Sequence, residues 1–300
     1  MSTIAQPEPT RVTIGVDTHG DLHVAAARDQ LGRPLGTTLV PTTLAGYQHL
    51  LGWALKLGEP VAFGIEGTGS YGAGLARYLH ANGQRVVEVN RPDRATRRRK
   101  GKSDPVDADA AARAVQAGDA TAIPKAGVGV VEMLRMLHLA RKTAIKARTQ
   151  TVNALRALLV TAPAELREQL RGLSKTMLPR AAAALEAGRV TSPAAAAMLA
   201  LATLGRRHAT LTAEIATLDA EIGRLLGRFA QPLLDRVGIG PDSASALLLA
   251  AGDNPGRLRC EAAFAALCGT SPVEASSGKT VRHRSTVAAT ARPTRRCTAS

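Results

Sequence analysis

The chain has 300 residues, 45% apolar but only 2% aromatic, with a formal charge of +15 at pH 7 and a pI near 10.8. That length suits about two domains with aliphatic, alanine-rich cores. The lack of an apolar run of about 18 residues and of a hydrophobic N-terminal region excludes membrane-spanning and secreted classes and predicts a soluble cytoplasmic protein with no membrane partner.

Three cysteines, Cys260, Cys268 and Cys297, show no CxxC spacing and are too few for a disulfide framework. The basic balance points to a polyanionic partner, or else to a solvated basic surface.

In chain order, "RVTIGVD", "DLHVAAARD" and "GRPLGTTLV" read as three strands, the first two separated by the turn "THGD". "TLAGYQHLLGWALKL" reads as a helix, with Leu44, Tyr47, Leu50, Leu51 and Leu55 on one face. "PVAFGIE" is a fully apolar strand, "YGAGLARYLHANG" a helix with a glycine stop, and "QRVVEVN" another strand. Three strands, a helix, a strand, a helix and a strand predict an α/β domain with a mixed sheet over residues 1–122.

Beyond "GDATAIPKAG" the character changes. Residues 128–160 form a long basic helical pattern with Arg135, Arg141, Lys142, Lys146, Arg148 and Arg156. "LGRRHATLTAEIATLDAEIGRLLGRFA" follows, with Leu211, Ile215, Leu218, Ile222, Leu225 and Phe229 spaced alternately by four and three. That spacing fits a coiled-coil seam, but about three heptads serve intramolecular helix packing equally well. Residues 121–230 hold 16 Lys and Arg against 7 Asp and Glu, so most of the excess charge sits on the helices. Next, "VGIGPDSASALLLAAGD" is a Gly-apolar-Gly turn opening an amphipathic helix. Gly238 and Gly240 serve either a plain turn or a close backbone approach to a phosphate at a helix N-terminus.

The carboxylates carry the chemistry. Asp17 ends the first strand in "IGVDTHGD", and Glu66 ends "VAFGIEG" among glycines. Asp104 and Asp107 stand at i and i+3 on a helix start and project from one face. Asp109 falls further round and faces elsewhere. Asp104 alone could be a helix N-cap. Together, four converging carboxylates cannot all remain ionised without cations, and two Mg²⁺ ions would neutralise them and clamp an in-line phosphoryl displacement. Immediately upstream, the run "RPDRATRRRKGK", with Arg97, Arg98, Arg99, Lys100 and Lys102, is placed to hold nucleic acid at such a site.

At these residues the chain resembles the DEDD transposases of the insertion-sequence 110 family. "GVDTHGDLHVAA", "GIEGTGSYG" and "KSDPVDADAAARA" are similar to that family's N-terminal blocks. "VGIGPDSASALLLAAGD" with "FAALCGTSPVEASSGK" is similar to its C-terminal block. The likeness spans residues 11–284; Gly20 departs from it, where many relatives carry a basic residue. It implies an RNase H-like, RuvC-like domain over residues 1–122 with Asp17, Glu66, Asp104 and Asp107 as a metal-binding tetrad. A basic helical or coiled-coil region over 123–230 would follow, then a helix-hairpin-helix-like serine domain over 231–284, the whole C-terminal part being all-α. By the same likeness Ser277, or else Ser276, is the nucleophile that attacks a DNA phosphate. The implied activity is excision and insertion of a mobile DNA element. The likeness further implies a structured non-coding guide RNA that selects donor and target DNA, and active sites shared in a homodimer or higher homo-oligomer at the bacterial nucleoid. Arg141, Lys142, Lys146 and Arg148 would then contact phosphates, which fixes position without reading sequence. The scarcity of aromatics also argues against base-stacking readout.

The last stretch departs from the likeness. Back-translating "STVAATARPTRRCTAS" and reading one base earlier gives "LNRGGDRQANAALYRI", a Gly/Arg/Asn turn before an amphipathic helix. The expectation is therefore a frameshift near Arg284, an aberrant tail over 285–300 and an incomplete serine domain. Two other functions fit the residues: a RuvC-like nuclease or junction resolvase using the tetrad alone, and an inactive remnant that only binds nucleic acid.

Overall fold

The structure, a computed structural model, describes residues 10–90, 103–254, 256, 258, 260–274 and 283–285. They fall into two compact units, one drawn from residues 1–129 and 251–300, the other from 130–250.

The first unit begins with β1 (Arg11–Thr18), β2 (Leu22–Asp29), β3 (Pro34–Pro41), α1 (Leu44–Leu57), β4 (Glu59–Glu66), α2 (Ala73–Ala81), β5 (Val86–Val89) and α3 (Asp104–Gln116). The strands form one mixed sheet in the order β3-β2-β1-β4-β5. β1, β2 and β3 run as an antiparallel meander, while β4 is parallel to β1 and β5 to β4. The expected sequence of elements is the observed one.

Strand alternation assigns the two faces of the sheet. Val12, Ile14 and Val16 of β1, with Phe63 and Ile65 of β4, pack in one core with Leu50 and Ala54 of α1 and Leu75 and Leu79 of α2. The other face carries Gly15, Ala26 and Gly64, and α3 lies across it. A Cβ on Gly15 would come within 2.0 Å of the Ala108 carbonyl oxygen and 2.3 Å of the Ala112 nitrogen. Only glycine lets the helix backbone sit this close, and α3 matches it with buried Ala108, Ala111 and Ala112.

Polar ties fix α3 lengthwise. The Arg28 guanidinium of β2 donates to both carboxylate oxygens of Asp109, at 2.5 and 3.1 Å, and Arg113 also donates to Asp109. Near its other end, Gln116 Nε2 donates to the Asp29 carbonyl at 2.7 Å.

The second unit is helical: α4 (Gly129–Thr161), α5 (Ala164–Leu170), α6 (Met177–Ala183), α7 (Pro193–Phe229), α8 (Gln231–Leu234) and α9 (Pro241–Ala251). α7 begins eleven residues before the apolar periodicity suggests. The leading "PAAAAMLALAT" has no clear stripe, but alanine is the strongest helix former. Ser192 caps this start by accepting from the Ala195 N–H at 3.2 Å. Of the seam residues, Ile222 and Leu225 are used inside the unit, packed with Leu134 of α4 and Ala244 of α9. Phe229, expected in that seam, is instead 52% exposed, with the Arg228 guanidinium 5.0 Å above its ring.

The first unit is completed by α10 (Glu261–Leu267), β6 (Pro272–Glu274) and β7 (His283–Ser285). β6 and β7 pair antiparallel, Val273 opposite Arg284, so the C-terminal part is not all-α as expected but includes a short strand ladder. Asn254 ties residues 124–126 to this part: its amide donates to the Pro124 carbonyl at 2.7 Å and accepts from the Ala126 N–H at 2.6 Å. Among the described residues no helix is long and apolar enough to cross a membrane.

Candidate functional site

Asp17 and Glu66 occupy equivalent places on neighbouring parallel strands. Val16 of β1 pairs with Ile65 of β4, so the next residues, Asp17 and Glu66, stand side by side at the C-terminal strand ends. Both are buried, at 7% and 8% exposure. By alternation they share the sheet face of Gly15 and Gly64, the face covered by α3. Asp104 and Asp107 stand in the first turn of α3, three apart and so on one side of it. Ser103 is the N-cap residue, yet no side-chain capping bond forms, and Pro105 follows where its missing N–H costs nothing. Asp109 is turned to Arg28, as its angular position on the helix predicts.

Burial is the largest influence on Asp17 and raises its carboxyl above the ordinary carboxylate value; His19 opposes this, and the negative charges of Glu66, Asp107 and Asp104 add to it. The other three expected carboxylates thus all lie close enough to act on Asp17.

His19 joins them. Its Nε2 lies 3.2 Å from Asp17 Oδ2 and 3.5 Å from Asp104 Oδ2. One ligand atom from each of Asp17, His19 and Asp104 lies within 4.8 Å of the others. Sequence reasoning used "THGD" only as a turn and passed over this histidine. The available signal was its position, two residues beyond a strand-terminal aspartate.

These residues fit a divalent cation. A buried carboxylate pushed up by burial and by three like charges is short of positive charge, and hard oxygen donors suit Mg²⁺ or Mn²⁺. The imidazole adds a donor that the oxygen-only expectation omitted.

The remaining expected residues divide. Arg97, Arg98, Arg99, Lys100 and Lys102 lie outside the described residues, as do Ser276 and Ser277, although the strands on either side of the serines, β6 and β7, pair with each other. Arg141 is committed to acids of its own unit, paired with Asp219 and, at 3.0 Å, with Asp242. Lys142 and Lys146 are exposed and Arg148 is half-buried. Gly238 has φ +83, a left-handed conformation that favours glycine in the turn before α9, whereas a Cβ at Gly240 would meet open space. Asp242 already places a carboxylate in the first turn of α9.

A family model described as a transposase, for the DEDD transposases of IS110, matches residues 14–162. A second, described as the transposase IS116/IS110/IS902 family, matches residues 230–297. The first span contains Asp17, Glu66, Asp104 and Asp107. The second contains Gly238, Gly240, Ser276 and Ser277, and continues past Arg284 into the stretch expected to be out of frame. No curated protein matches the chain. With both matches in order along well over half its length, the acidic residues falling inside the first, the chain belongs to the IS110 family of DEDD transposases.

Proposed function

We propose that this protein excises and inserts a mobile DNA element by metal-dependent phosphoryl transfer, with Asp17, Glu66, Asp104 and Asp107 as the metal-binding tetrad of an RNase H-like domain. The observation that carries this reading is the pairing of buried Asp17 and Glu66 on adjacent parallel strands, on the face where α3 presents Asp104 and Asp107. The mixed order β3-β2-β1-β4-β5, with a helix across the site, supports the RNase H-like assignment.

Mg²⁺ bound by these carboxylates would supply Lewis-acid stabilisation of charge on the attacking and leaving oxygens of a DNA phosphate. The protein's own part is placement. The two strand ends hold Asp17 and Glu66 rigidly, and the Arg28–Asp109 pair with the Gly15 contact holds α3 at the distance that lets its acids reach them. His19 lies close to both Asp17 and Asp104, where its imidazole could join them as a ligand.

In this reading Ser277, with Ser276 as the fallback, forms the covalent link to DNA. Element-encoded RNA selects the sequences, and two or more copies assemble the active sites on the bacterial nucleoid. A basic protein with few aromatic side chains suits a partner recognised through its phosphates, with base pairing supplying specificity.

The test uses the purified chain with its cognate RNA, donor DNA and Mg²⁺. A covalent protein–DNA adduct lost on Ser277→Ala, with all cleavage lost on Asp17→Asn, is the expected result. Metal-dependent nicking that survives Ser277→Ala would favour a RuvC-like nuclease or junction resolvase. Binding without any cleavage would mark an inactive, DNA-binding remnant and overturn the proposal.

A further inference from the structure

The helical unit contains a basic cleft that the catalytic reading does not use. It lies between α4, α6 and α7, has a volume of about 760 Å³, and brings Arg148, Lys175, Arg180 and His208 to one concavity. A second cleft of about 230 Å³ shares Arg148, Lys175 and His208 and extends to Arg156. Neither is lined by an acidic side chain.

Two observations separate this place from an ordinary solvated basic face. The first is its neutralisation pattern. Arg135 pairs with Glu132, Arg141 with Asp219 and Asp242, and Arg224 with Glu221, so the unit cancels several of its arginines internally. Most other cations of the unit, Lys142, Lys146, Arg206 and Arg207 among them, have no acidic partner among the described residues; of these unpaired cations, Arg148, Arg156, Lys175 and Arg180 are the ones gathered along the two clefts. His208 registers the convergence: burial first, and then the Arg148 charge, lower its pKa below the ordinary histidine value.

The second is that the cleft is built rigidly. A Cβ on Gly205 of α7 would meet the Ala183 nitrogen at 2.3 Å and the Pro179 carbonyl oxygen at 2.7 Å. That backbone-to-backbone contact docks α6 on α7 and holds the segment bearing Lys175 and Arg180 beside His208. Like charges gathered in a concavity repel one another and focus a positive potential, an arrangement that an anion relieves.

We propose that this cleft binds the sugar-phosphate backbone of a nucleic-acid strand, with Arg148, Lys175 and Arg180 as its phosphate contacts. Arg148 and Arg156 are eight residues apart on α4, about 12 Å along the helix. At 3.4 Å of rise per nucleotide, that spans about three to four nucleotides of one strand. No Phe, Tyr or Trp side chain lines either cleft, so the contact is to phosphates and carries no sequence preference.

The proposal rests on the reading of the chain as a nucleic-acid-handling transposase, and the experiment separates the two. The full chain is titrated with fluorescein-labelled mixed-sequence single-stranded DNA, single-stranded RNA and duplex DNA over a range of salt concentrations. Arg148→Gln, Lys175→Gln and Arg180→Gln are compared with Arg224→Gln, whose arginine is already paired, and all are checked for unchanged melting temperature. Each cleft variant is expected to weaken binding several-fold, whatever the probe sequence. Each should also flatten the slope of log K against log salt by about 0.7 for a single strand or about 0.9 for duplex. The probe whose slope changes identifies which strand the cleft holds. Slopes unchanged in the cleft variants while the unaltered chain binds would overturn the cleft alone. Losses matched by Arg224→Gln would reduce it to general surface charge and overturn it as well. Failure of the unaltered chain to bind any of the three probes would overturn the transposase reading together with the cleft.

Discussion

Asp17 is the residue on which most of the site's chemistry converges: it is buried at a strand end, beside Glu66, within reach of His19, and pushed up by burial and by three other carboxylates. Removal of an outer-shell partner of a metal site costs 10–100-fold, so under the proposed role of Asp17 and Glu66 as direct ligands their loss costs more. Asp17→Asn and Glu66→Gln are therefore each expected to lower metal-dependent DNA cleavage by more than about 100-fold while leaving nucleic-acid binding near its original level, as measured by gel-based cleavage and binding assays. A second residue-scale consequence comes from His23, fully buried and stacked on Tyr47 with ring centroids 5.9 Å apart. Burial lowers its pKa below the ordinary 6.5. As the pH falls, the unfolded chain thus takes up this proton before the folded one does. Its contribution to stability is full above about 6.5 and is lost as the pH drops toward the folded value. The drop in melting temperature from pH 7.5 to 5.5 should accordingly be smaller in His23→Phe than in the unaltered chain; equal drops would contradict the assignment.

At the scale of elements, α3 is the part that brings Asp104 to the acidic strand end, within reach of Asp17 and His19. Its approach depends on Gly15, so Gly15→Ala, which drives a methyl group into the Ala108 carbonyl, is expected to destabilise the first unit by about 3 kcal/mol or more by denaturant unfolding. Gly52 in α1 makes the contrast: a Cβ there meets nothing within 4 Å, and Gly52→Ala should stabilise by about 0.5–1 kcal/mol. The sequence told much about these elements. Alternation and turn residues predicted all five strands of the sheet, and the i, i+3 spacing of Asp104 and Asp107 put them on one side of a helix. The angular offset of Asp109 turned it away, but what it turns toward was not legible, because Arg28 lies 81 residues earlier and only sheet pairing brings it there. The heptad spacing in α7 was read correctly as apolar packing for Ile222 and Leu225, yet the pattern is silent about which helix supplies the partner.

At the scale of the whole molecule, the chain folds into two separately cored units. The acidic site lies in the first unit, whose aliphatic core centres on Ile14, Phe63 and Ile65, and the unpaired cationic cleft in the second, with Leu134, Ile222 and Leu226 in its core. Phe63→Ala and Leu226→Ala are each expected to cost about 3–5 kcal/mol. By hydrogen exchange the first should lose protection in β1 and β4 and the second in α4 and α7. The sequence by itself determined the class of elements, the concentration of charge on the long helices and the places of Asp17, Glu66, Asp104 and Asp107 at strand ends and a helix start, because these depend on local periodicity, composition and motif spacing. Only the tertiary structure decided that Asp17 and Glu66 face α3 rather than α1 and α2, that His19 joins them, and which arginines are cancelled and which are left to converge around Lys175. Each of those depends on contacts between residues far apart in the chain, and long-range pairing leaves no mark in the spacing of either partner.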